Sequence, residues 1–144
     1  MKLNKTTTKP THFKFPKTPT GVEGLDEITE GGFPKGRPTL ICGGAGCGKT
    51  LLSMQFLIKG IIDYNEPGVF MSFEETDRDL DMNVRSLGFD IEKLKKEKKL
   101  VIDHVRVERS EIDEAGEYDL EGLFIRLGYA IDTIKAKRVV LDTL

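Results

Sequence analysis

Eight consecutive residues of this chain have the types and spacing of a loop that binds phosphates. They fit the pattern G-x-x-x-x-G-K-[ST]. Glycines allow backbone N–H groups to curve around anionic oxygens without hindrance from a Cβ atom. The lysine can reach the outer phosphates as a cation, and the final hydroxyl can occupy one coordination position of Mg²⁺. The pattern therefore predicts a site for Mg²⁺ and a nucleoside triphosphate. Its residues are Gly43, Gly44, Ala45, Gly46, Cys47, Gly48, Lys49 and Thr50.

The segments on either side of this loop have the patterns of a strand and a helix. Residues 39–42 form a short apolar run, Thr-Leu-Ile-Cys, which predicts a buried strand. Apolar residues recur all round the helix predicted from Lys49 to about Tyr64, as expected for a helix packed between layers. The positive end of its dipole would lie at the phosphates, and Leu51 in its first turn is included in the predicted nucleotide contact. This context disfavours the alternative interpretation, a Gly-rich turn without a ligand.

Three carboxylates lie where predicted strands end. Asp142 closes the buried strand predicted at residues 138–142, and Glu74 and Glu75 directly follow the strand predicted at residues 68–73. Ligands collect at the carboxyl edge of parallel sheets. Asp142 is therefore a candidate for the Mg²⁺ shell, and one glutamate is a candidate for activating a water molecule. The sequence does not distinguish the two glutamates. The alternatives are an ordinary strand-end carboxylate for Asp142 and exposed loop charges for the pair.

The remaining segments alternate between helix and strand patterns. Helices are predicted over residues 77–87, 91–99 and 119–134, and a further strand over residues 100–104. Residues 105–118 are a polar, acid-rich connection. This alternation favours an α/β fold in which a parallel, doubly wound sheet carries helices on both faces.

Length and charge limit the classes of function. The 144 residues fit one domain, and residues 1–19 are predicted to be a flexible basic tail. Five of the 22 basic residues and none of the 24 acidic residues lie in this tail, which leaves the rest of the chain with a net charge of −7. Broad contact with nucleic acid is therefore not expected.

Membrane-span, signal-peptide and cysteine patterns indicate where in the cell the protein is expected. The chain contains no apolar run long enough to span a membrane and no signal-peptide pattern, and its two cysteines lack metal-site spacing. A cytoplasmic location is expected.

Taken together, the motifs resemble the N-terminal of the two tandem domains in the KaiC family of RecA-superfamily ATPases. The resemblance runs from about Thr20 to the end of the chain and implies a RecA-like P-loop NTPase fold that binds ATP with Mg²⁺. It is carried by four ordered blocks, which are residues 21–28 (GVEGLDEI) with 31–36 (GGFPKG), 43–50, 68–76 (GVFMSFEET), and 118–120 leading to 138–142.

The resemblance also implies roles for single residues. Glu74 and Glu75 correspond to the catalytic glutamate pair of the family, and Asp142 corresponds to its Walker B acid. Residues 49–50 correspond to its phosphate and Mg²⁺ contacts. Ser86 corresponds to a position close to the bound nucleotide.

Assembly and partners follow from the same resemblance. Members of the family form rings of six with ATP between neighbouring subunits, and full-length members add a second domain with autokinase activity. Members of the cyanobacterial clock bind KaiA and KaiB, although residues 105–117 of this chain differ from the corresponding loop of those proteins. Three alternatives stay open: a RecA-type DNA-handling ATPase, a phosphotransferase, and a switch that binds nucleotide without hydrolysing it.

The resemblance further predicts an incomplete domain. RecA-like sheets place a later strand between the strand before the phosphate loop and the Walker B strand, and this chain ends before that strand. The sheet is therefore expected to have unpaired edges.

Overall fold

The elements follow the alternation of apolar patterns along the chain. The computed structural model describes residues 14–105 and 120–142. Its helices are α1 (Leu25–Ile28), α2 (Lys49–Tyr64), α3 (Asp77–Arg85), α4 (Ile91–Lys96) and α5 (Leu120–Ile134). Its strands are β1 (Lys17–Thr18), β2 (Phe33–Pro34), β3 (Gly68–Ser72), β4 (Leu100–His104) and β5 (Arg138–Asp142).

Most predicted elements are confirmed within a few residues. The long helix after the phosphate loop, the three later helices and the strands β3, β4 and β5 all form. Residues 106–119, which include most of the predicted polar connection and the start of the last predicted helix, lie outside the described residues. Strand β1, which was not predicted, lies in the segment interpreted as a tail and pairs with β2 in a small antiparallel sheet.

The main sheet is parallel and has β3 at its centre. Its strand order is β4-β3-β5. The register pairs Ser72, the last residue of β3, with His104 on one side and Asp142 on the other. Because parallel strands end at the same edge, the ends of all three strands lie together.

Helices cover both faces of this sheet, as predicted. Alternate residues of a strand point to opposite faces. Phe70 packs in a core formed with α2, α3 and α4, whereas Val69 and Met71 pack against α5. All five residues of β3 are buried, because the strand has neighbours at both edges and on both faces.

The prediction of a strand at residues 39–42 is wrong. These residues form no strand, and Leu40 and Cys42 are exposed. A strand is stabilised by hydrogen bonds to a neighbour, and a cavity of about 1010 Å³ separates this segment from β5. Within residues 14–105 and 120–142, no strand pairs with the segment.

The same cavity accounts for a second difference. The strand at residues 138–142 was predicted to be buried, but Val139 and Leu141 are 39% and 43% exposed. In the described sheet, β5 is an edge strand that pairs only with β3. Its side chains are therefore covered on fewer sides than those of β3.

Arg138 ties the start of β5 to α2 and to the segment before α1. Its side chain is 1% exposed and its Nε lies 2.7 Å from Glu66 Oε2. Its Nη1 donates to the carbonyls of Pro19 and Phe56, each at 2.9 Å, and the guanidinium lies over the Phe56 ring. A buried guanidinium is stabilised where its donors find acceptors, and although Nη2 has no hydrogen-bond partner among the described residues, the contacts of Nε and Nη1 fix how the three segments pack.

None of the described helices combines the length and the apolar character needed to cross a membrane.

Candidate functional site

The phosphate-loop motif forms an exposed turn that leads directly into α2. Gly48 has a φ of 91°, a left-handed conformation that favours glycine, and α2 begins at the next residue, Lys49. No side chain caps the first turn of this helix. Its free backbone N–H groups and positive dipole end therefore remain available to an anion. Leu51, which is 37% exposed, lies in this first turn.

Lys49 folds back over its own loop. Its Nζ donates hydrogen bonds to the carbonyls of Gly43 and Gly44, both at 2.9 Å, and lies 3.9 Å from Cys47 Sγ. The ammonium group is thus held against the backbone of the loop by its own carbonyls.

Thr50 and Asp142 are brought into direct contact although 92 residues separate them. The Thr50 hydroxyl donates to Asp142 Oδ2 at 2.8 Å. Asp142 is 8% exposed at the end of β5. A hydroxyl beside a carboxylate is the kind of oxygen pair that Mg²⁺ accepts as direct or water-mediated ligands. The contact joins the two residues that the sequence predicted for the metal.

Glu75 is held by three groups. Asn83 Nδ2 donates to Glu75 Oε2 at 2.9 Å. The Glu75 carbonyl accepts a hydrogen bond of 2.6 Å from the Ser72 hydroxyl and lies 3.1 Å from His104 Nδ1. Glu74 is exposed and has no hydrogen bond or ion pair to the rest of the described chain. The two adjacent carboxylates therefore have different surroundings.

The helix that follows the glutamates is fixed by a capping box. Thr76 Oγ1 and the Thr76 N–H both donate to Asp79 Oδ2, at 2.6 Å and 3.3 Å, and the Asp79 N–H donates back to Thr76 Oγ1. The hydrogen bond from the Thr76 hydroxyl, followed by that from its N–H group, lowers the pKa of Asp79. The box defines where α3 begins and hence how Asn83 is placed relative to Glu75.

Ser86, predicted to lie close to the nucleotide, lies at the end of α3. It is the C-cap that follows the last residue of α3, it is exposed, and its hydroxyl donates to the Asn83 carbonyl at 2.7 Å. No hydrogen bond between described residues joins it to residues 43–50.

Sequence reasoning missed Asn83, Ser72 and His104. Asn83 and His104 contact Glu75 because α3 and β4 pack beside β3, whereas Ser72 lies three residues before Glu75 at the end of β3 itself. Only the Thr76-x-x-Asp79 spacing was a local signal for the start of α3.

The large cavity beside β5 reaches the site. Its lining includes Lys49 and Asp142, together with residues 39–43 and 137–141. Space for a ligand is therefore present next to the ammonium group and the buried carboxylate.

Known proteins resemble this chain over nearly its whole length. The family described as "ATPase: KaiC" matches residues 18–144. The circadian clock protein KaiC2 of Synechocystis sp. is 61% identical over 128 residues, which are 89% of this chain and 22% of that protein. The circadian clock oscillator proteins KaiC of Prochlorococcus marinus and Synechococcus elongatus are 44% and 46% identical over 92% of this chain and 27% and 25% of theirs. The chain thus spans about a quarter of the length of these relatives.

Proposed function

The chain belongs to the KaiC family of ATPases, and on that premise we propose that it is the ATP- and Mg²⁺-binding part of an enzyme that hydrolyses ATP. The observation that carries this proposal is the 2.8 Å hydrogen bond between Thr50 and Asp142. It joins the last residue of the phosphate loop to the strand-end acid at the place where a metal ion beside the β- and γ-phosphates would lie.

The loop supports binding of the phosphates. The uncapped start of α2 and the Lys49 ammonium next to it both offer positive charge to an anion. An anionic oxygen can replace the Gly43 and Gly44 carbonyls as the acceptor for Lys49, and such a charge-assisted hydrogen bond is stronger than the one it replaces.

The strand ends support hydrolysis. Bound Mg²⁺ would supply charge neutralisation for the phosphoryl group as it is transferred. Thr50 and Asp142 would be ligands of the metal ion, directly or through water. One glutamate of the pair after β3 would act as the base that activates the attacking water. The register of the sheet favours this division of roles. Asp142 pairs with Ser72, which comes directly before Phe73 and the two glutamates.

Assembly of the whole protein is proposed from the resemblance to the family. Rings of six subunits with ATP at their interfaces, autokinase activity and a timing role with KaiA- or KaiB-like regulators would belong to the intact protein. The relatives named as clock proteins support such a role.

The experiment is steady-state ATP hydrolysis by the intact protein with and without the change Lys49→Ala. We expect turnover to fall at least about 100-fold, since the variant loses the cation that contacts the outer phosphates. Lys59→Ala is the matched control, because Lys59 lies on the same helix and pairs with Asp63 rather than the loop.

Two results would contradict the proposal. Unchanged hydrolysis by the Lys49 variant would remove the loop from the reaction. Tight binding of Mg·ATP by the wild-type protein without turnover would instead favour a nucleotide switch.

A further inference from the structure

We propose that Cys42 and Cys47 are a redox-sensitive modification site, in which peroxide joins the two thiols in a disulfide that weakens nucleotide binding by the phosphate loop. The effect on the nucleotide rests on the proposed function. Formation of the bond does not, because it depends only on the two thiols and on the chain between them.

Both thiols are accessible and belong to the same short segment. They are the only cysteines among the 144 residues, and both are free and exposed. Cys42 directly precedes the phosphate-loop motif, and Cys47 lies within it. Exposed thiols are the ones that dissolved oxidants reach, and a second thiol nearby converts the first oxidation product into a disulfide.

The sulfur of Cys47 is folded back toward the residue beside Cys42. A Cβ atom at residue 43 would overlap this sulfur, so glycine there leaves the space that the sulfur occupies. The Cys47 N–H donates to the Gly44 carbonyl at 3.4 Å, which closes the turn between them. Neighbouring Cα atoms are about 3.8 Å apart, and a disulfide joins Cα atoms separated by about 4–7 Å. A local shift of the loop is therefore enough to bring the two sulfurs together.

The backbone that must shift is free to do so. Three of the four residues between the cysteines are glycines, which have the widest choice of backbone conformations. Cys42 itself borders the cavity of about 1010 Å³ beside β5. In the described part of the chain, no strand pairs with residues 39–42. The movement thus breaks no hydrogen bonds between strands.

A bond between the cysteines would change the groups proposed to hold phosphate. It encloses residues 42–47 in one ring, and most of the backbone N–H groups of the phosphate loop belong to this ring. It also draws the Cys47 sulfur from its place 3.9 Å from Lys49 Nζ, beside the Gly43 and Gly44 carbonyls to which Lys49 donates. The bridged loop therefore follows a different backbone path and binds the phosphates less well.

The oxidation balances with hydrogen peroxide as the oxidant. One sulfur attacks a peroxide oxygen, the O–O bond breaks, and a sulfenic acid and one water form. The sulfur of the other cysteine then attacks the sulfenic sulfur. The S–O bond breaks, and the hydroxide leaves with the thiol proton as a second water. Two thiols and one peroxide thus give one disulfide and two waters, and a dithiol reductant reverses the modification.

The test treats the intact, reduced protein with hydrogen peroxide and digests it with trypsin without a reductant. The peptide of residues 36–49 contains both cysteines, and we expect it to lose two hydrogen atoms in mass. Calorimetry then measures the Kd for Mg·ATP. We expect it to rise about 10- to 100-fold after oxidation and to recover with dithiothreitol. Bound Mg·ATP should slow formation of the bridge, since coupling between two binding events is reciprocal.

Two variants serve as matched controls, each compared with its own untreated sample. Cys42→Ser leaves the motif intact, so its affinity before oxidation should match that of wild type. Cys47→Ala removes the other thiol. We expect no bridged peptide in either variant and no peroxide-dependent loss of affinity.

The outcomes separate this inference from the proposed function. Absence of the bridge in wild type, an unchanged Kd in the bridged protein, or the same loss of affinity in Cys42→Ser would each overturn it. A reduced protein that binds Mg·ATP without hydrolysing it contradicts the proposed hydrolysis alone, because the Kd still reports the effect of the bridge. A reduced protein that binds no Mg·ATP overturns both.

Discussion

At the scale of single residues, the site is held together by interactions that a ligand can replace. Lys49 donates to two neutral carbonyls of its own loop, and Thr50 donates to Asp142. Phosphate oxygens are better acceptors for the lysine, and a divalent cation can take both oxygens of the Thr50–Asp142 pair as direct or water-mediated ligands. Under the proposed function, the loop would therefore be arranged before nucleotide binds, and binding would exchange hydrogen-bond partners without requiring a new backbone path.

Replacing Thr50 tests the metal side of this arrangement. Thr50→Val keeps the shape of the side chain and removes its oxygen, so we expect the Mg²⁺ concentration for half-maximal ATP hydrolysis to rise about 10- to 100-fold. Thr50→Ser keeps the hydroxyl and should stay close to wild type. The measurement is a Mg²⁺ titration of turnover, and equal behaviour of the two variants would contradict a role for the hydroxyl.

At the scale of elements, Arg138 sets the packing of β5 against α2. Helix α2 can approach this side chain because residue 60 is glycine: a Cβ atom there would lie 2.3 Å from Arg138 Nε. The close approach lets Arg138 reach Glu66 and the Phe56 carbonyl at the same time. Since α2 carries Thr50 and β5 carries Asp142, this packing also determines whether the two site residues meet.

Gly60→Ala tests that packing. Overpacking against a buried guanidinium should lower the free energy of unfolding by about 1–3 kcal/mol. Gly128→Ala in α5 is the matched control: a Cβ atom there meets nothing within 4 Å, and alanine should raise helix stability by about 0.5–1 kcal/mol. Urea unfolding of both variants measures the difference. A Gly60 variant as stable as the Gly128 variant would contradict the account.

The elements also show what the sequence could and could not predict. Helix α2 and strand β3 have strong local patterns, and the sequence predicted Thr50 and Asp142 as ligands of the same metal ion, which requires them to lie close together. The strand predicted at residues 39–42 did not form, because a strand depends on a partner that its own residues do not specify. The contact between Asn83 and Glu75 was beyond prediction for a similar reason, since it depends on the packing of α3.

At the scale of the whole molecule, the sheet with helices on both faces brings the functional groups to one edge. Ser72, His104 and Asp142 are aligned there by the register of the three strands. The edge of β5 borders the cavity that reaches Lys49. Under the proposed function, the fold would thus supply a phosphate loop, two metal ligands and a glutamate pair for phosphoryl transfer to water.

The most direct test is a structure of the intact protein with Mg²⁺ and a non-hydrolysable ATP analogue. The account predicts the β- and γ-phosphates within residues 43–50, with Lys49 moved from the Gly43 and Gly44 carbonyls to phosphate oxygens. It further predicts Mg²⁺ at the Thr50 hydroxyl on the side of Asp142. A nucleotide bound elsewhere, or a metal ion distant from both Thr50 and Asp142, would contradict it.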